Sequence, residues 1–313
     1  MLDLLHIPVS TGAAEVTQLF GTNTVAGSDF VPWFKPRGKT MINIALFGKG
    51  GNGGAGVIGA ASTAAGGGGG GSGGQTILEM PLALLPDILY FSLAGRSGVT
   101  TLASYVSTTP KLTAGAGAPV ANDTLMIANG GGNGGNASGA TAGIAGTAGA
   151  IATNATMPLG WGFAISLAGQ AGIIAGTTST AANLILPLTG LLVTGGTGGG
   201  GLPAAATAGT HGGNITGAGQ FPTILGGQGS ATATIAAESG RSGFMPVPKL
   251  LFLLGGTGGA STHGTATGAG LTQSNGGPGA PGCGAGGTGG ALTASVAGAV
   301  GQGGVAFAII TVW

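Results

Sequence analysis

The strongest constraint on this chain is the way its glycines are gathered. They concentrate in four long excursions, residues 48–75, 129–153, 195–233 and 255–304, with runs such as GGGGGGSGG and GGTGGGG. Loops in compact domains are usually about 4–6 residues long, and structureless ones beyond about 12–15 are uncommon. Ordering a glycine costs more backbone entropy than ordering any other residue, so long ordered glycine stretches need a compensating set of hydrogen bonds. Polyglycine-II-like helices packed side by side supply one. With three residues per turn and no internal hydrogen bonds, each points its N–H and C=O groups at its neighbours, provided that no side chain keeps the backbones apart.

A chain with 74 glycines and 15 prolines among 313 residues has the composition of a low-complexity segment. Its charge content says otherwise. Only 8 Lys+Arg and 7 Asp+Glu are present, 43% of the residues are hydrophobic, and the mean hydropathy is +0.50. Disordered chains are charged and poor in apolar residues, so this one is expected to collapse. A collagen helix is excluded because the triplet of Gly276, Gly279 and Gly282 ends at Ala285.

The charges are unevenly placed, with none in 124–237 or 250–313. Near-zero net charge favours association, so the chain is expected to work inside an assembly. A net charge of +1 gives no electrostatic footprint for nucleic acid or an anionic membrane. Lys35, Arg37 and Lys39 are too few for such a patch and read as a solvated entry to the first strand. The uncharged stretch 157–188 is broken by Pro158 and Pro187 and has only short apolar runs, so no membrane insertion is expected. The opening MLDLLHIPVS has no basic n-region, and no signal peptide is expected.

Two motifs alternate along the chain. In the first, an apolar run passes directly into glycines: 42–47 into GKGGNGG, 125–128 into NGGGNGG and 191–194 into GGTGGGG, while the run from Val305 is preceded by GQGG. The second begins with Met-Pro at 80, 157 and 245 and continues into a strand, with proline at the strand start, where its missing N–H costs least. Short apolar runs bounded by Gly and Pro fit buried strands rather than helices. The expected fold is therefore all-β, with short strands alternating with long Gly-rich stretches packed as polyglycine-II-like helices and few or no α-helices in the body. Residues 1–39, with ordinary polar content and Leu2, Leu4, Leu5, Phe30, Trp33 and Phe34, read as an attachment segment; 40–313 form the body.

No catalytic constellation is visible. His211 and His263 have Glu238 as the only carboxylate between them, Cys283 sits in a glycine-rich loop, and GxGxxG matches arise by chance in such a composition. No enzyme activity, cofactor or metal is expected. What remains is recognition by polar and aromatic loop residues on a rigid scaffold, with His211, Asn214, His263, Gln273, Asn275 and Trp161 as candidate receptor contacts.

The segments GGQGS, GGPGAPGCGAGGTGG and GQGGVAFAIITVW resemble the glycine-rich domains of bacteriophage tail-fibre and other virion proteins. The entry FVPWFKPRGKTMINIALFGKGGNGGAG is similar to the same group, so the resemblance covers about 30–313. More loosely, the chain resembles phage tail-tip adhesins whose polyglycine-II helices stack into a sandwich with receptor-binding loops at one end. The resemblance implies a non-enzymatic protein of the virion surface. Residues 1–39 would contact other virion proteins, and the Gly-rich loops would bind a host glycan or outer-membrane protein. A homo-oligomer, such as a trimer, is expected. A capsid or decoration protein whose loops knit neighbours together is the structural alternative, and an ice-binding polyglycine-II protein a third.

Overall fold

The computed structural model describes residues 14–22, 29–96, 102–110, 123–152, 163–186, 191–217, 223–244, 253–265, 271–293 and 295–313. Its strands, in chain order, are β1 Glu15–Phe20, β2 Val31–Phe34, β3 Met41–Phe47, β4 Ile58–Gly59, β5 Gln75–Pro81, β6 Ile88–Ser92 and β7 Ser104–Ser107. They continue as β8 Thr124–Ala128, β9 Phe163–Leu167, β10 Leu184–Ile185, β11 Ile215–Thr216, β12 Ala291–Leu292 and β13 Phe307–Val312. The fold is all-β; its helical content among the described residues is a 3-10 turn, Leu82–Leu84, and Asp123 ahead of β8.

The longer strands form two antiparallel sheets, ordered β1-β13-β3-β5-β9 and β2-β6-β7-β8. The alternation expected of strands directs Ile42, Ile44 and Leu46 of β3 and Ala308, Ile310 and Val312 of β13 into the core between the sheets, against Phe91, Val106 and Met126. The opposite face of the five-stranded sheet packs Ala45, Phe47, Ile77 and Phe307 against Leu191, Val193 and Leu253. On that face Phe47 and Phe307 stack with ring centroids 4.2 Å apart.

β1 and β2, within 1–39, are members of these sheets, β1 pairing with β13 and β2 with β6. Residues 1–13 lie outside the described residues. The Met-Pro motif differs from expectation. Met80-Pro81 closes β5, opposite Met41 at the start of β3, and the chain then turns through Leu82–Leu84 before β6. The other two Met-Pro pairs lie outside the described residues.

The glycine excursions form a lattice. Beyond β3 and β5, the pairing of Phe47 with Gln75 passes without a slip into N–H to C=O bonds from Gly48 to Gly74, Gly51 to Gly71, Gly54 to Gly68 and Val57 to Ala65. The repeat has changed from two residues to three, which is that of polyglycine II. A strand rises about 3.3 Å per residue and a polyglycine-II helix about 3.1 Å, so the chain continues from strand to rod with little change of pitch.

The rod at 65–74 shows the full three-fold pattern. Gly66, Gly69 and Ser72 donate to 170–176; Gly67, Gly70 and Gly73 donate to 282–288; Gly68, Gly71 and Gly74 donate to 129–135. Its carbonyls accept from 48–57, 143–149 and 196–199, so six rods surround it. The same bonds arrange the other rods in four rows. These are 129–137, 48–57 and 298–304; then 141–150, 65–74, 282–291 and 273–280; then 168–176, 194–202, 253–262 and 237–244; then 181–186, 209–216 and 225–230.

Glycine is needed here for the absence of Cβ rather than for unusual torsions. Among the described glycines only Gly38, Gly139 and Gly282 have positive φ. At Gly69, by contrast, a Cβ would overlap the carbonyl of Gly196. Gly69→Ala should therefore destabilise the fold by about 3 kcal/mol or more, by prising two backbones apart. Gly139→Ala, in open space at φ +54°, should cost only about 1 kcal/mol. Denaturant unfolding of the two variants checks the contrast, and equal losses would refute the packing argument.

Candidate functional site

The polar residues expected to contact a receptor are mostly lattice members. Where a rod carries a side chain in place of glycine, an amide or hydroxyl oxygen takes the place of a backbone carbonyl as acceptor. Asn214 Oδ1 accepts from the Gly226 N–H at 2.7 Å, Asn275 Oδ1 from Ala299 at 2.7 Å and His211 Nδ1 from Gly229 at 3.0 Å. Gln273 is 3% exposed, donating through Nε2 to the Gly289 carbonyl at 2.6 Å and accepting at Oε1 from Gly298 at 3.0 Å. It is a buried cross-link between rods and has no atom to offer a receptor.

Thr197 does the same inside the lattice, donating to Gly213 at 2.6 Å and accepting from Gly258 at 2.8 Å. His211 and Asn214 lie on one outer rod, Gln273 and Asn275 on another, and His263 beyond the end of the 253–262 rod. The structure does not bring them together. Trp161 lies outside the described residues.

Cys283 is fully buried, and burial raises its thiol pKa to about 12 against a bond with the Thr194 backbone that lowers it. It is therefore a small packing residue: native protein at pH 8 should resist maleimide labelling until unfolded, and rapid labelling of folded protein would refute this. Lys49 is also buried, which lowers its pKa. Among the described residues no cluster of His, Cys, Asp or Glu could hold a metal, and no helix is long and apolar enough to cross a membrane.

What the lattice does bring together is a set of turns. Rods leave the sandwich and return, and they reverse at 58–64, 138–141, 177–180, 203–208 and 231–236. Bonds at the rod ends hold these turns at one end of the body: Ser62 N–H to Pro203 O at 3.1 Å, Ala65 to Gly139 at 3.1 Å, Gly264 to Thr207 at 3.0 Å and Gly66 to Gly176 at 3.0 Å. The exposed side chains there are small and uncharged. They include Ala60, Ser62, Thr63, Ala140, Thr141, Thr177, Thr178, Ala204, Ala205, Thr207, Thr232 and Thr234, with Ile235 as a larger apolar one.

Two of these turns are strained. Ser62 at φ 63° and Ala206 at φ 64° are the non-glycine residues with positive φ among those described, and neither is an Asn or Asp that tolerates this region. Their hydroxyl neighbours hold the turns: Thr63 Oγ1 donates to Ala60 O at 2.8 Å and Thr207 Oγ1 to Ala204 O at 2.6 Å. The sequence signal for this surface is the lapse of the glycine phase into short Ala/Thr/Ser clusters, which sequence reasoning passed over in favour of bulkier polar residues. Ala206→Gly should relieve the strain and raise stability by about 1 kcal/mol, as a denaturant midpoint shift; a loss would refute the strain reading.

Comparison of the chain with protein-family models and with curated proteins finds no match.

Proposed function

We propose that this is a non-enzymatic protein of a phage virion surface, which binds a host receptor through the distal turn surface and is attached through its sandwich end. The observation that carries this reading is the polarity of the body. Its turns collect at one end, on a hydrogen-bonded scaffold with strained Ser62 and Ala206 among them. The strands that hold residues 15–20 and 307–312 pair at the other end. Strain of this kind persists where surrounding structure enforces it and marks sites of function. Binding loops on a rigid scaffold are the common arrangement for recognition.

The receptor is a host surface glycan or outer-membrane protein, met by hydroxyls and methyls rather than by charge. The alternative of a capsid or decoration protein rests on glycine loops reaching into neighbouring subunits. The glycine N–H groups of 65–74 find their acceptors within one chain, which lends that alternative less support. An ice-binding role is less well supported, because the exposed outer rods carry protruding isoleucines instead of a flat Thr or Ala face.

The test is binding of labelled protein to bacterial strains that differ in outer-membrane proteins and lipopolysaccharide. Thr178→Lys and Ala205→Lys, both at exposed turn positions, should each reduce binding by about 10-fold or more while leaving the melting temperature unchanged. Binding to no strain, or undiminished binding by both variants, would overturn the proposal.

A further inference from the structure

Five large apolar side chains stand exposed along one side of the body: Ile144 at 68%, Ile151 at 53%, Phe163 at 46%, Ile174 at 50% and Ile185 at 68%. Ile144 lies on the 141–150 rod and Ile151 just beyond it. Ile174 lies on the adjacent 168–176 rod, which continues from Phe163 in β9, and Ile185 lies on 181–186 at the same edge of the lattice.

Cross-rod bonds set their heights. The Ala175 N–H bonds Gly143 O at 3.2 Å, which puts Ile174 beside Ile144. The Gln170 Nε2 donates to Ile185 O at 2.7 Å, which puts Ile185 within reach of the Gln170 side chain. The Gly169 N–H bonds Gly149 O at 2.8 Å, which puts Ala168 close to Ile151. The positions between are Thr147, Ala150, Ala168 and Ala171, all exposed, and no charged residue occurs anywhere in 124–237.

This apolar surface is not a requirement of the rods. The 237–244 rod, at the opposite end of its row, exposes Glu238, Ser239, Arg241 and Ser242 alongside Phe244. An outer rod therefore accepts charge, whereas the side that carries these isoleucines has none. Contiguous exposed apolar surface of this kind marks a protein–protein contact.

We propose that this side is where copies of the chain pack against one another, rods aligned, around an axis parallel to the rods. Three features select a second copy as the occupant. The face offers no charge to attract a charged partner and none to repel itself. Cyclic symmetry about such an axis introduces no axial shift, so each layer of isoleucines meets the same layer of its neighbour. The arrangement also keeps every distal turn surface at one end. Only this last clause rests on the receptor-binding reading.

Light scattering on the full chain, eluted by size over a range of concentrations, tests the proposal. The unaltered protein should form a closed oligomer, and Ile144→Asp with Ile174→Asp should raise its dissociation constant by about 100-fold or more. Ile235→Asp, exposed in a distal turn, should leave the mass unchanged. Should the double variant fail to fold, Thr147→Cys supplies the second measurement. It should form an interchain disulfide on mild oxidation, and Ser239→Cys, on the polar side, should not.

A monomer at every concentration, an oligomer indifferent to the double substitution, or crosslinking of Ser239→Cys equal to that of Thr147→Cys would overturn the proposal. Thermal hysteresis from a monomeric protein would do so too, by assigning the face to ice. The receptor reading fails separately: loss of cell binding in neither distal-turn variant, with an intact oligomer, would leave this interface standing. A monomeric double variant that still binds cells, more weakly through lost avidity, would support both.

Discussion

The distance between neighbouring backbones in the rod lattice governs everything else in this protein. A backbone N–H that bonds directly to the carbonyl of the next rod leaves no volume for a Cβ on that face, so the number of covered faces dictates how many residues in three must be glycine. The 65–74 rod, surrounded by six others, is glycine at every position after Ala65 except Ser72. The outer rod 141–150 keeps only Gly143, Gly146 and Gly149, the residues that donate to 65–74, and turns Ile144 and Thr147 outward. At 181–186, on the corner of the lattice, there is no glycine at all. The composition is thus a record of burial, position by position.

A lattice of nearly featureless rods could slip by three residues without breaking its bonding pattern, and the sandwich supplies the missing reference. Three strand pairs carry their registers directly into rods. β3 with β5 continues as Gly51 with Gly71, β13 with β3 as Gly304 with Gly50, and β5 with β9 as Ser72 with Gln170. In the strands, a slip of one residue would turn Ile44, Leu78 and Ile310 out of the core, so their register is strongly specified. Side chains inside the lattice add further locks. Thr288 Oγ1 accepts from Gly56 at 2.6 Å and Asn133 Oδ1 from Asn52 at 2.9 Å, contacts that a three-residue shift would lose.

Much of this was legible in the sequence, and the reasons for the rest are physical. Apolar runs flanked by glycine identify β3, β8 and β13, and the entropy of glycine demands an ordered lattice for the excursions. The partners of each rod are not legible, because a glycine N–H carries no label for the carbonyl it will meet. Nor is the role of Met80-Pro81, since a proline without a ladder bond to lose fits the end of a strand as well as its start. The lattice bonds of the candidate contacts are hidden for a related reason. Gln273 and Asn275 look like recognition residues in a chain with few polar groups, yet the lattice engages both amides, burying Gln273 and leaving Asn275 exposed.

The same logic separates the surfaces by what the fold asks of them. A residue inside the lattice answers to three-fold backbone packing, and one in the sandwich to the alternation of the sheets, so neither is free to vary for recognition. The turns at 177–180 and 203–208 lie where rods have ended, and the outward row of 141–150 lies where no further rod among the described residues is bonded. At both places the lattice imposes no identity on the side chain. Strain retained at Ala206, where glycine would relax it, and isoleucine retained at 144, where the equivalent side of the body tolerates Arg241, are choices that packing within one chain does not explain. The proposed contacts with other molecules would account for them, the turns facing outward along the rods and the isoleucines sideways.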